Sequence, residues 1–397
     1  MIAVLAVVVL LGSALIGWVT IRPSAEAPEP QAPPPPRPPA VVVEALPQLK
    51  AQMDHWAARN RFMGAVLVAR GDQVVFRQAY GMADRAAGEP NRVDSRFRLA
   101  SVSKQFTAAA ILKLQDDGVL SVDDPVCRWI QPCPAGWEDI RLSHLLSHTS
   151  GLPDLMARPA WGLRRVTPAT SAELTTDTMR YRPSFPPGSK VRYDNAGFNL
   201  LAAVVEKASG VSLEAYLKRA FFDPLGMADT GSDADGNGQG IVTGYANFPA
   251  GVTAQLQPNV SIVFGAGALY STLDDMMVWE RALNHGQVLS DRSYRQMLAD
   301  HAPASAPPER GHKRRDWGFG IFTNALGEQV KPSFHDRQIY HTGSWSGFRN
   351  LVLWQPDQDV TVIVLSNNYH QRDQVFLISQ QGMAEALGRA FPTTLAR

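Results

Sequence analysis

FRLASVSKQFTAAAILKLQDDG, running from Phe97 to Gly118, places a hydroxyl and an amine one helical turn apart at the start of a helix. Phe106, Ala110, Ile111 and Leu114 fall at helical spacing, and Gly118 supplies the stop. Residues three apart on a helix share a face, so Ser101 and Lys104 meet if the helix begins near Ser101. The amino end of that helix favours negative charge, which suits an incipient alkoxide and an oxyanion. No other lysine of the chain stands three residues after a serine. A solvent-facing Ser and Lys on an ordinary helix would satisfy the same short pattern, so further partners have to be sought.

A serine nucleophile needs a base, an orienting group and an oxyanion hole. Tyr193-Asp194-Asn195 follows FPPGSKVR and opens the apolar-periodic NAGFNLLAAVVEKASG, which puts Tyr193 and Asn195 at a loop-to-helix junction. As a phenolate beside cationic Lys104, Tyr193 could take the serine proton and return it to the leaving group. Asn195 could hydrogen-bond Lys104 and the acyl amide of a substrate. Tyr245-Ala246-Asn247 repeats the Y-x-N pattern, and the pattern alone does not choose between them. The third element is Tyr340-His341-Thr342-Gly343-Ser344, just before the strand-like FRNLVLWQP. Gly343 would allow close backbone approach, and the Ser344 and Ser101 N–H groups would make a two-donor oxyanion hole. His341 and Thr342 would face the substrate from the strand edge. A plain turn between two strands is the alternative for this segment.

The body from about Val41 reads as mixed α and β. LPQLKAQMDHWAARN is helical in pattern, and GAVLVARG and QVVFRQAYG are strand-like with a Gly-Asp turn between them. FRNLVLWQP and VTVIVLSN near the other end match them, followed by a helical tail through MAEALGRAF. Strands at both ends around a mainly helical middle predict an α+β fold: one antiparallel sheet built from both ends of the chain, with a helical lobe inserted. A cleft at that junction is the expected ligand site.

Composition narrows the partners. The 397 residues are 45% hydrophobic and 19% charged, enough for a large core. Thirty-eight basic against thirty-seven acidic side chains offer no electrostatic case for nucleic acid. Ile2 to Ile21 is apolar except for Ser13 and Thr20, so residues 1–22 form a transmembrane anchor or a signal peptide. Its length, and Pro28 after the possible cleavage site Ala25-Glu26-Ala27, favour the uncleaved anchor. Residues 23–40, with PPPPRPP, read as an extended spacer, leaving 41–397 as one folded domain. Cys127 and Cys133 are close enough for a local disulfide in an oxidising compartment. His144 and His148 have a metal-compatible i, i+4 spacing but no neighbouring Glu, so no metal or cofactor is expected. Arg310, Lys313, Arg314 and Arg315 read as a solvated basic loop.

Taken together, SVSK, YDN and HTG occur in the order and approximate spacing of the serine β-lactamase and penicillin-binding-protein superfamily, which the chain resembles. The likeness is to its class C β-lactamase-like branch, which also holds D,D-peptidases, D-aminopeptidases and esterases. IRLSHLLSHTSGLPD, FFDPLGMADT and GAGALYSTLDDM resemble further recurring blocks, so the likeness runs from about Leu46 to Leu387. It selects Tyr193 over Tyr245, because only Tyr193 is followed by the family's helix. It implies Ser101, Lys104 and Tyr193 as catalytic residues and Asn195, His341, Thr342, Gly343 and Ser344 as substrate-binding residues. His341 departs from the lysine of many lactamases, which implies weaker carboxylate anchoring. The expected function is therefore an acyl-enzyme serine hydrolase acting on an envelope peptide or small ester, in the cell envelope. A β-lactamase, or a catalytically silent binder of peptidoglycan or a partner, is the alternative.

Overall fold

The computed structural model describes residues 45–396 apart from 163, 237 and 307–313. The expected anchor or signal peptide at 1–22 and the Pro-rich linker at 23–40 lie outside the described residues, as do Arg310 and Lys313. Among the described residues, no helix is long and apolar enough to cross a membrane.

Seven strands form the main sheet: β1 (Gly64–Arg70), β2 (Gln73–Tyr80), β3 (Asp316–Trp317), β4 (Phe322–Asn324), β5 (Gln338–Trp345), β6 (Phe348–Gln355) and β7 (Val360–Ser366). Their spatial order is β3-β4-β5-β6-β7-β1-β2, and every pairing is antiparallel. The two ends of the chain meet where Leu67 of β1 pairs with Ile363 of β7. β7 sends Ile363 and Leu365 into one core and Val362 and Val364 into another, so both of its faces are covered and VTVIVLS is buried throughout. An apolar run without alternation is the expected signature of such a strand.

On β1 the alternation of side chains sorts two cores. Ala65, Leu67 and Ala69 point into the helical lobe, while Val66 and Val68 pack under α1 (Pro47–Ala57) and the C-terminal helix. The lobe holds α2 (Lys104–Asp116), α3 (Ala196–Ser209) and α4 (Leu273–Asn284), with Phe106 of α2 stacked 4.0 Å from Trp279 of α4. Gly118 and Gly210 end α2 and α3 in the left-handed region, where glycine pays no Cβ penalty. The C-terminal helix α5 spans Arg372–Ala386, so it stops sooner than the tail read from the sequence. Gly388, at φ 67°, turns the chain away, and Thr394–Leu395 pairs with Val330–Lys331. Cys127 and Cys133 are joined in a disulfide with Cα atoms 4.9 Å apart.

Candidate active site

Ser101 sits on a 3-10 turn, Ala100–Ser103, that runs straight into α2 at Lys104. Side chains at i and i+3 eclipse on a 3-10 turn, so the amine stands directly behind the hydroxyl. The turn is anchored from two sides. Leu99 N–H donates to the Leu269 carbonyl at 2.8 Å, and the Ser103 hydroxyl accepts from Leu269 N–H at 3.2 Å. The Asn350 amide of β6 donates to the carbonyls of Arg98 and Leu99 at 2.8 and 3.1 Å. Ala100, immediately before Ser101, has φ 51°. A left-handed alanine costs about 1–2 kcal/mol, and such strain persists only where the surroundings over-determine it.

Lys104 is fully buried. Its Nζ lies 3.2 Å from Ser101 Oγ, 2.9 Å from Asn195 Oδ1 and 2.9 Å from the Ala266 carbonyl oxygen. Burial pushes the amine down to about 7, against the opposing pull of the Asp154 and Asp194 carboxylates. A neutral amine can donate two N–H bonds to Asn195 Oδ1 and Ala266 O, which leaves its lone pair for the Ser101 hydroxyl. That is the arrangement of a general base.

Tyr193 and Ser101 line the same cavity, and Lys104 Nζ lies 4.8 Å from the centre of the Tyr193 ring. Burial raises the phenol well above its ordinary value, outweighing the lowering influence of Ser101. Tyr193 therefore keeps its proton here, and the phenolate expected from the sequence gives way to a neutral phenol with Lys104 as the stronger candidate base. His148 stacks on Tyr193 with ring centres 4.4 Å apart. Its Nδ1 accepts from the Asp194 N–H at 3.2 Å, and burial depresses its pKa well below the ordinary value. His144 lies within the short helix Leu142–Leu146, whereas His148 lies beyond it at φ 60°, so the two rings do not share a helix face.

The substrate-side wall is β5. Beyond Tyr340 no strand pairs with its outer edge, and the Ser101 turn packs there instead. The HTG segment is thus part of a strand rather than a turn. A cavity of about 300 Å³ opens between the two, with Ser101, Tyr193, Asn195, Thr342, Ser344 and Arg315 among its lining residues. His341 is not one of them. Alternation along β5 exposes Thr342 and Ser344 and turns His341 inward, where it is 1% exposed and its ring stacks on Phe322 at 4.8 Å. His341 Nδ1 donates to the Thr342 carbonyl at 2.7 Å, and burial pushes the imidazole down to about 3. Contrary to expectation, the His341 side chain does not line the cavity: it is buried against Phe322, on the face of β5 that it shares with Gly343.

The Beta-lactamase family model matches residues 49–378. The chain belongs to the β-lactamase family. It is 29% identical over 327 residues to penicillin-binding protein 4* of Bacillus subtilis, covering 78% of this chain and 69% of that one. Esterase EstB of Burkholderia gladioli is 31% identical over 367 residues, covering 82% and 91% respectively. The crystal structure of a penicillin binding protein from Bacillus halodurans superposes with a TM-score of 0.70 at 26% identity, covering 85% of this chain and 98% of that one. The architecture is the β-lactamase/transpeptidase-like fold, and the chain is a serine hydrolase of this family.

Relative to the family motifs, the structure adds residues that no local pattern signals. Tyr245, the rival Y-x-N tyrosine, accepts from the Arg85 N–H at 2.7 Å in a hairpin, and it is Tyr193 that lines the cavity with Ser101. Arg315 is not a solvated loop residue: its guanidinium lies 3.9 Å from the Phe322 ring centre and 4.2 Å from that of Trp317, on the cavity wall. Arg314 pairs with Asp300 at 2.6 Å. Asp154 reaches Asn195, and Asn350 ties the sheet to the Ser101 turn.

Proposed function

We propose that Ser101 is the nucleophile of an acyl-enzyme hydrolase that cleaves esters or amides. The observation that carries this reading is the buried Lys104 amine, whose pKa of about 7 and hydrogen bonds fit a base for Ser101. Ser101 attacks the carbonyl carbon as its proton passes to Lys104. The Ser101 and Ser344 N–H groups hold the oxyanion, and the Tyr193 hydroxyl delivers a proton to the leaving oxygen or nitrogen while taking one from the Lys104 ammonium, which returns the amine to its neutral form. Water then enters against the same base and releases the acid. Asn195, Thr342 and Gly343 shape the substrate's path along β5.

Two substrate classes are supported. The likeness to esterase EstB, extending over most of both chains, supports a small ester. Arg315 sets a cation on the cavity wall, which supports an acidic envelope peptide of the D,D-peptidase or D-aminopeptidase kind. A tether through residues 1–22 and the spacer at 23–40 would place the body at the cell envelope, on the periplasmic or extracytoplasmic side, and the Cys127–Cys133 disulfide suits an oxidising compartment. His341, buried and uncharged, supplies no carboxylate anchor, so β-lactams are the weaker physiological candidates. A panel of p-nitrophenyl esters, D-alanyl peptides and benzylpenicillin tests this. Turnover of an ester or peptide with slow release of penicillin supports the reading; rapid penicillin turnover as the best reaction overturns it.

A further inference from the structure

We propose that Asp154 is a positioning residue for the base, fixing through Asn195 which face of an amide Lys104 meets. Asp154 precedes the short 3-10 turn Leu155–Ala157, and both of its carboxylate oxygens face Asn195 Nδ2, at 3.5 and 3.4 Å. A carboxylate only accepts, so it holds the NH₂ end of Asn195 toward itself and the oxygen end toward Lys104, 2.9 Å from Nζ. Without it the amide is free to turn, and the amine would face two N–H donors instead of an acceptor. That would spoil the geometry in which the Lys104 lone pair is left for Ser101.

The charge of Asp154 acts in the same place. It is the larger of the two carboxylate influences that favour the charged form of Lys104, ahead of Asp194, and it also raises Tyr193 and Asp194. The other titratable groups around Lys104 are Tyr193 and Asp194 before α3, His148 after the Leu142–Leu146 helix, and His341 on β5. Tyr193 stays neutral, and both imidazoles are held far below their ordinary range. Arg315 acts on Tyr193, His148 and His341. Burial lifts Asp194 to about 7, so its charge is partial over the working range. A purely structural alternative exists, because Asp154 Oδ1 also accepts from the Met156 N–H at 3.2 Å and caps the turn.

The inference rests on Lys104 acting as base to Ser101, and the test separates the two. The pH dependence of kcat/KM for a p-nitrophenyl ester is measured with the full-length chain in detergent, for the parent, Ser101→Ala, Asp154→Asn, Asp154→Ser and Asp154→Glu. Asp154→Asn keeps an acceptor for Met156 and removes the charge, so the acid limb should move down by about 0.5–1 pH unit. Asp154→Ser keeps only the cap, and should show the same move with a plateau lowered about tenfold. Asp154→Glu should return the limb toward the parent. A merely structural cap would leave the limb in place in Asp154→Asn and Asp154→Ser while changing Tm at most. An unmoved limb in whichever of these variants keeps the parent Tm, with Ser101→Ala inactive, overturns the Asp154 inference alone. Full activity of Ser101→Ala overturns the underlying reading instead.

Discussion

Gly343 lies so close to Leu99 that a Cβ atom added to it would fall 2.3 Å from the Leu99 carbonyl oxygen and 2.9 Å from the Asn350 amide nitrogen. The substrate strand and the Ser101 turn can approach this closely only because position 343 has no side chain. Gly343→Ala should therefore push β5 away from Ser101. The expected cost is about 1–3 kcal/mol of stability, by overpacking, and about tenfold or more in kcat/KM, by displacing the Ser344 N–H. Thermal melting and ester kinetics measure both. An alanine variant within twofold of the parent would mean that β5 is not the oxyanion wall.

In the proposed reaction, Lys104 sets the pH at which the enzyme works. With the amine pushed down to about 7, the neutral base forms as pH rises through that value, so kcat/KM should rise and level off above it. Lys104→Met should remove the limb and lower the plateau by roughly 10²–10⁴-fold, the range of general-base catalysis. A profile flat from pH 5 to 9 in the parent would place the proton elsewhere.

His341→Lys tests the corrected place of position 341. Inserting an ammonium at this buried position, near Lys104, leaves a buried charge without a partner, at a cost of roughly 3–5 kcal/mol. Tm should fall and benzylpenicillin acylation should not accelerate. Faster penicillin acylation at an unchanged Tm would show that the side chain reaches the cavity.

Glu280 gives a stability test away from the site. It is 4% exposed, and burial pushes its carboxyl up to about 7 from 4.5. Between those values the unfolded chain has lost the proton and the folded chain keeps it, so this group's contribution falls as pH rises. Glu280→Gln removes the penalty. Its stability relative to the parent should be higher at pH 8 than at pH 5, by about 1–3 kcal/mol. Equal differences at the two pH values would contradict the assignment.

What the sequence disclosed follows from which interactions are local. Ser101, Lys104 and α2 were readable because helix spacing, a glycine stop and a unique S-x-x-K lie within one segment. The sheet was readable because β1, β2, β6 and β7 are long apolar runs with clear turns. The inward turn of His341 was not, since a period-two pattern does not say which face is buried until the neighbours are known. Asp154, Arg315 and Asn350 reach the site from 53, 214 and 249 residues along the chain from Ser101, counted from their numbers, and leave no local pattern. The raised pKa of Tyr193 was not legible either, because its burial comes from His148 and other side chains brought in by folding.

The proposed reaction requires Ser101 to become covalently modified. Intact mass and peptide mapping of the full-length chain in detergent, after exposure to a fluorophosphonate and to fluorescent penicillin, test it most directly. The account predicts a single adduct on Ser101 from at least the fluorophosphonate, absent in Ser101→Ala and slowed in Lys104→Met. No adduct from either reagent, with no ester turned over, or an adduct that survives Ser101→Ala, would contradict it.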